Sequence, residues 1–177
     1  MARNADEHDL GALGPRLDPP PDEAVLTTLE PRDDWDAIRV VGADFSGATA
    51  SHLDISGREL VRLRLTGADL EHLRGIDTRL RECDLAGTAL QHASMQRMEL
   101  HGCRMSGLVL SNARLRHTRF VGCKLDDANL RFVDAEDVVF GDCSLPGPTS
   151  PVRRSHECRC SRATCRKRSS PTLTWTP

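Results

Sequence analysis

Residues 80–110 read LRECDLAGTALQHASMQRMELHGCRMSGLVL, with an apolar side chain at every fifth position: Leu80, Leu85, Leu90, Met95, Leu100, Met105 and Leu110. A period of five suits neither a helix, which repeats every 3.6 residues, nor a strand, which alternates every two. Upstream the same register runs through Phe45, Ala50, Ile55, Leu60, Leu65 and Leu70. Downstream it continues through Leu115, Phe120, Leu125, Leu130, Ala135, Phe140 and Leu145, and only Gly75 breaks it. With 38% of the chain apolar, a run this long is not a product of composition. A fixed internal period marks a solenoid, whose repeats bury their apolar faces against one another.

Two residues before each centre stands a second, mostly small or apolar set: Ala43, Ala48, Leu53, Leu63, Ala68, Leu73, Cys83, Ala93, Cys103, Ala113, Cys123, Ala128, Val133, Val138 and Cys143, with Arg58 as the misfit. Segments such as Ala43-Asp44-Phe45, Ala68-Asp69-Leu70 and Ala128-Asn129-Leu130 fit the pattern A-(D/N)-L-x-x. Over residues 41–145 the chain resembles the pentapeptide-repeat family. The resemblance implies an all-β fold, a right-handed quadrilateral β-helix with one pentapeptide per side and about five coils.

A period of 20 supports four pentapeptides per coil independently. Cys83, Cys103, Cys123 and Cys143 recur at that spacing, as do Gly47, Gly67, Gly87 and Gly107. Glycine at one corner of each coil suits a turn with positive φ. Charges alternate at the same spacing: Asp44, Arg64, Asp84, Arg104, and Glu59, Arg79, Glu99, Arg119, with Asp54 and Arg74 as a shorter pair. Stacking in register about 4.8 Å apart turns that alternation into ladders of opposite charge.

Four segments are expected. Residues 1–22 hold Pro15, Pro19, Pro20, Pro21 and many acids, and read as disordered. Residues 23–40 read as an N-terminal cap with a short helix or strand over 23–31; Trp35 and Val40 keep the register of five, and Trp35 is placed to plug the first coil. Residues 41–145 are the β-helix. Residues 146–177 are rich in Arg, Ser, Pro and Cys and read as a disordered basic tail, or as a frame-shifted replacement for further coils. Many family members end in a helix that joins two rods, and no amphipathic stretch here supplies one.

Charge divides the chain similarly: a net of −6 over residues 1–40, −2 over 41–145 and +6 over 146–177. No apolar run spans a bilayer and no signal-peptide pattern opens the chain, so a cytoplasmic protein with reduced thiols is expected.

The cysteine ladder Cys83, Cys103, Cys123, Cys143 reads as a column of small buried side chains and a poor tetrahedral metal site. His52, His72 and His92 stack at spacing 20 on an outer corner, where a divalent metal or a pH-sensitive edge is the alternative to a solvated corner. In the tail, His156, Cys158, Cys160 and Cys165 have no standard zinc-finger spacing, and the basic residues could bind nucleic acid weakly. No phosphate-cradling loop, H-E-x-x-H or G-x-S-x-G motif occurs. No cofactor or catalytic residue is therefore expected.

The expected function is a non-enzymatic scaffold for a protein partner of unknown identity. An interface is expected on the side of Leu60, Val61, Val121, Val139 and Phe140. The resemblance supplies an alternative: some members mimic duplex DNA, bind DNA gyrase and protect it from quinolones. The near-neutral repeat argues against the acidic face such mimicry needs.

Overall fold

The computed structural model describes residue 15 and residues 22–24, 38–145, 153–161 and 164–165. Among these there is no helix; the chain winds as a parallel β-solenoid. From Ile38 onward the pairing register advances by 20 residues per coil: Val40 pairs with Leu60, Leu60 with Leu80, Leu80 with Leu100, Leu100 with Phe120 and Phe120 with Phe140. Four sides follow. Side A centres on Val40, Leu60, Leu80, Leu100, Phe120 and Phe140, and side B on Phe45, Leu65, Leu85, Met105, Leu125 and Leu145. Side C centres on Ala50, Leu70, Leu90, Leu110 and Leu130, and side D on Ile55, Gly75, Met95, Leu115 and Ala135.

The sides are not alike. Side A carries β2 (Ile38–Val41), β3 (Glu59–Val61), β5 (Arg79–Arg81) and β7 (Glu99–His101), and side D carries β4 (Arg74–Ile76) and β6 (Ser94–Gln96). In the later coils, β8 (Arg114–Val121) and β9 (Asp134–Gly141) run through the D-to-A corner as continuous strands. Sides B and C join through single bridges, such as Asp44 with Arg64 and Ala89 with Val109. The corners after B and C are closed turns: Ala48 N–H donates to the Phe45 carbonyl at 3.1 Å, and Ala93 N–H to the Leu90 carbonyl at 3.2 Å.

Every described corner passes through left-handed φ. The glycine column expected at one corner is there, with φ of 66 to 70° at Gly47, Gly67, Gly87 and Gly107. Side chains that ordinarily avoid this region hold it elsewhere: His52, His72, His92, Asn112 and Phe132 after side C, and Asp77, Arg97, His117 and Asp137 after side D. The strain is of order 1 kcal/mol per residue. Rung hydrogen bonds help hold these residues in place: His52 N–H donates to the Glu71 carbonyl at 2.9 Å, and Arg62 N–H to the Arg81 carbonyl at 2.8 Å.

Centre residues and those two before them form one continuous apolar core. Phe120 and Phe140 stack inside it with centroids 4.8 Å apart. Gly75, the break in the register, is explained by Met98: a Cβ on Gly75 would lie 2.7 Å from Met98 Sδ. Met98 occupies the place that Thr78 and Thr118 hold in the coils on either side, and its longer side chain fills the space the glycine leaves. The misfit Arg58 is also buried, at 0% exposure. The core of the first coils keeps an apolar cavity of about 30 Å³ lined by Phe45, Leu53, Ile55, Leu63 and Met98.

Both ends modify the expected boundaries. β1 (Asp22–Ala24) pairs with β2, Asp22 opposite Ile38. Trp35 lies outside the described residues. The tail expected to be disordered contributes β11 (Arg153–Ser161) and β12 (Thr164–Cys165), which pair with β9 and with β10 (Ser144–Leu145). The spacing is still 20: Val138 with Cys158, Phe140 with Cys160, Leu145 with Cys165. The winding persists there after the Leu-rich pattern has gone, because rungs are built from backbone groups.

Candidate functional site

Outward positions decide what the rod can bind, and three sides are occupied by charge ladders. On side A, Glu59 meets Arg39 and Arg81, each at 3.3 Å. Glu99 is the hub of that side: Arg79 lies at 3.0 Å, Arg119 at 3.5 Å and His101 at 3.5 Å, and its own side chain is 12% exposed. Hydrogen bonding from His101, then from Arg79, against the opposing cost of burial, lowers the Glu99 carboxyl to about 2. Side B pairs Asp44 with Arg64 at 3.6 Å and Asp84 with Arg104 at 3.4 Å. Side D pairs Asp54 with Arg74 and Arg114 with Asp134, and joins Arg116 to Glu136. At its corner Arg97 holds Asp77 through two bonds of 2.7 and 2.6 Å, and His117 meets Asp137 at 3.0 Å. Of the neighbours expected in the ladders, Asp44 and Arg64, Asp84 and Arg104, Asp54 and Arg74, and Glu99 with Arg79 and Arg119 are paired, whereas Glu59 turns to Arg39 and Arg81.

Side C differs. Among the described residues, no ion pair lies on it. Its outward row is Thr49, Asp69, Ala89, Val109 and Asn129, and the row beside it is Ser51, Glu71, Gln91, Ser111 and Arg131. Through the middle coils this surface is uncharged. Its corner edge carries His52, His72 and His92 in a stack, with centroids 4.7 and 5.0 Å apart and planes within 14° of parallel. The edge continues through Asn112 to Phe132, the one exposed large hydrophobic among the described residues, at 40%. The Arg131 guanidinium sits 5.7 Å from the Phe132 ring centroid.

The side expected as an interface fares less well. Leu60 and Phe140 are 2% and 6% exposed and belong to the core, so neither is available to a partner. Val61 and Val121 are partly exposed but separated by Arg81 and His101, which fill the two coils between them. Val139 caps the row of Glu59, Arg79, Glu99 and Arg119. The apolar strip is broken by charge. Composition suggested it; only the coil-by-coil register shows the gaps.

The four ladder cysteines are free and buried. Their sulfurs reach the carbonyl of the side A centre in the preceding coil: Cys83 to Leu60 at 3.4 Å, Cys123 to Leu100 at 3.2 Å and Cys143 to Phe120 at 3.4 Å. The position thus takes a small side chain that can offer a weak S–H donor. Hydrogen bonding along the ladder raises the Cys103 and Cys143 thiols and lowers those of Cys83 and Cys123, and burial opposes the charged form at all four. Among the described residues no group of three or more His, Cys, Asp or Glu is arranged to hold a metal. The histidine stack fits that result, since parallel rings aim their nitrogens along parallel planes rather than at a common point. No described helix is long and apolar enough to cross a membrane.

A trypsin-treated variant of QnrB1, a plasmid-mediated fluoroquinolone resistance protein, is 17% identical; the match covers 80% of this chain and 82% of that one, with a TM-score of 0.46. HetL, a pentapeptide repeat protein involved in heterocyst differentiation regulation in Nostoc sp. strain PCC 7120, is 20% identical, with coverage of 80% and 83% and a TM-score of 0.46. A pentapeptide repeat protein from the Arabidopsis thaliana thylakoid lumen is 25% identical, with coverage of 52% and 64% and a TM-score of 0.39. No match to a curated protein is found. Residues 76–149 match the family described as a pentapeptide repeat region.

Proposed function

We propose that the protein is a non-catalytic scaffold that docks a protein partner along side C. The observation that carries this reading is the confinement of all described ion pairs to sides A, B and D. A partner covering those sides would have to desolvate paired charges, a cost that often exceeds the gain. Side C offers Ala89, Val109, Gln91, Ser111 and Asn129 with less desolvation, and Phe132 beside Arg131 as an anchor of the type that dominates interfaces. The partner surface that fits is a flat, weakly charged one with an apolar recess for the Phe132 ring. A reducing compartment such as the cytoplasm suits four free thiols in the core.

DNA mimicry finds no such support in charge. Side B, which carries Asp44, Asp84, Asp126 and Asp127, also carries Arg64, Arg104 and Lys124. The test is capture of partners from host lysate with the native protein, Phe132→Ser and Val109→Asp on side C, and Arg119→Ala on side A. The side C variants should lose a partner that the side A variant keeps. Equal retention by all of them, or inhibition of gyrase supercoiling at micromolar protein, would overturn the reading.

A further inference from the structure

The charges of side C are sorted along its length. In its two outward rows the coil of Leu70 carries Asp69 and Glu71, and the coil of Leu130 carries Asn129 and Arg131. The two coils between them carry Ala89, Gln91, Val109 and Ser111, with no charge. The rows are in register, Asp69 with Ala89, Ala89 with Val109 and Val109 with Asn129. The face is therefore acidic at one end, basic at the other and neutral between.

Such a face complements a copy of itself turned end over end. A twofold axis lying in the face along the strand direction, midway between the coils of Leu90 and Leu110, keeps each residue in its row and exchanges the coils of Leu70 and Leu130. Glu71 then faces Arg131 of the second copy, and symmetry repeats the contact. His72 faces Phe132, whose ring is 40% exposed. Asp69 faces Asn129, whose Oδ1 already accepts from the Arg131 N–H at 3.1 Å, leaving the amide nitrogen to donate. At the axis Ala89 faces Val109 beside Gly87 and Gly107, so two flat, small-residue surfaces meet. At the corner with side B, Asp126 and Asp127 face Thr66 and Gly67, and like charges do not meet.

Other pairings of the same face fail on charge. A twofold parallel to the rod, centred between the two rows, sets Asp69 against Glu71. Moving the axis to the coil of Leu90 sets Asp69 against Val109 and Glu71 against Ser111, which buries carboxylates without a cation.

We propose that side C is a homodimer interface on which two rods pack antiparallel and face to face, with Glu71 of each copy paired to Arg131 of the other. The proposal rests on the reading of side C as the docking face and names its occupant. The four matched coils extend roughly 20 Å along the rod. That area is below a standard interface, so monomer and dimer exchange in the micromolar range or weaker.

The test is sedimentation velocity of the full chain in reducing buffer. The native protein should pass from monomer to dimer between about 10 and 500 µM. Val109→Asp, Glu71→Arg and Arg131→Glu should each weaken the dimer about tenfold or more, because facing like charges or an unpaired buried charge oppose it. Mixing Glu71→Arg with Arg131→Glu should restore association, since the mixed pair regains both ionic contacts. The double variant Glu71→Arg/Arg131→Glu should dimerise like the native chain, and Arg119→Ala on side A should change nothing. Mixed variants that associate no better than either alone would overturn the proposal. A chain that stays monomeric while Phe132→Ser still loses a lysate partner overturns the homodimer and leaves side C as the docking face. A dimer that survives Val109→Asp and Glu71→Arg overturns both.

Discussion

On side A, Glu99 takes Arg79, Arg119 and His101 at 3.0 to 3.5 Å, and Glu59 takes Arg39 and Arg81 at 3.3 Å. On side C the corresponding row is Thr49, Asp69, Ala89, Val109 and Asn129, and the corner beside it carries stacked imidazoles and an exposed phenyl ring. The inner halves match: Leu100 on side A and Leu110 on side C are 1% and 0% exposed. One backbone plan therefore supports two surfaces, one whose charges pair with each other and one that carries no ion pair among the described residues. The difference can be tested because inner substitutions should affect both sides alike and outer ones should not.

The largest effect belongs to the shared interior. Leu100→Ala and Leu110→Ala should each cost about 3–4 kcal/mol in denaturant unfolding, the range for a leucine removed from a packed core. A difference between them of more than about 2 kcal/mol would break the claim that the sides share one core. Gly75→Leu belongs with this class, since its side chain would compete with Met98 for the same space; overpacking costs roughly 1–3 kcal/mol. Gly75→Leu combined with Met98→Thr should recover part of that loss, which a backbone role for the glycine would not allow.

The interior was also the most legible part of the sequence, and the reason is physical. Inward positions are set by burial alone, so Leu80, Leu85 and Leu90 announce themselves at spacing five. Asp84 and Arg104 could be paired on paper because in-register stacking fixes their neighbours. The left-handed corners at Arg97 and Phe132 were hidden, because such side chains carry no preference for that φ. The winding of Arg153–Ser161 was hidden for a related reason: backbone rungs hold it, and its side chains depart from the repeat. The apolar strip on side A was overread because Val61 and Val121 look continuous until Arg81 and His101 are set between them.

Glu99 gives the next effect, on side A only. Its carboxyl is lowered to about 2 from an ordinary value near 4.5. A depressed carboxyl stabilises the fold above its unfolded value, and that contribution is lost as pH falls through the folded value. At pH 7 it amounts to about 2–3 kcal/mol. Glu99→Gln should therefore lower stability by that amount at neutral pH, and the gap from the native protein should close between about pH 4.5 and 2. Gln91→Ala on side C should stay within about 0.5 kcal/mol at every pH, as surface changes away from special features do. A gap that persists unchanged at pH 2 would place the stabilisation of Glu99 in packing rather than charge.

The smallest effect separates structure from function on side C. His72 holds φ of 59° and stacks on His52 and His92. His72→Gly relieves the left-handed strain, worth about 1 kcal/mol. It also removes two ring contacts, worth about 0.5 kcal/mol or more together, and adds freedom to the unfolded chain. These terms nearly cancel, so the unfolding midpoint should barely move. A histidine column that the fold does not need, at a corner where glycine would serve as well, is better explained by what meets it from outside. If His72→Gly instead destabilises by more than about 1.5 kcal/mol, the stack is holding the corner together. The edge of side C would then be structural, and the case for docking would rest on Phe132, Arg131 and the uncharged rows alone.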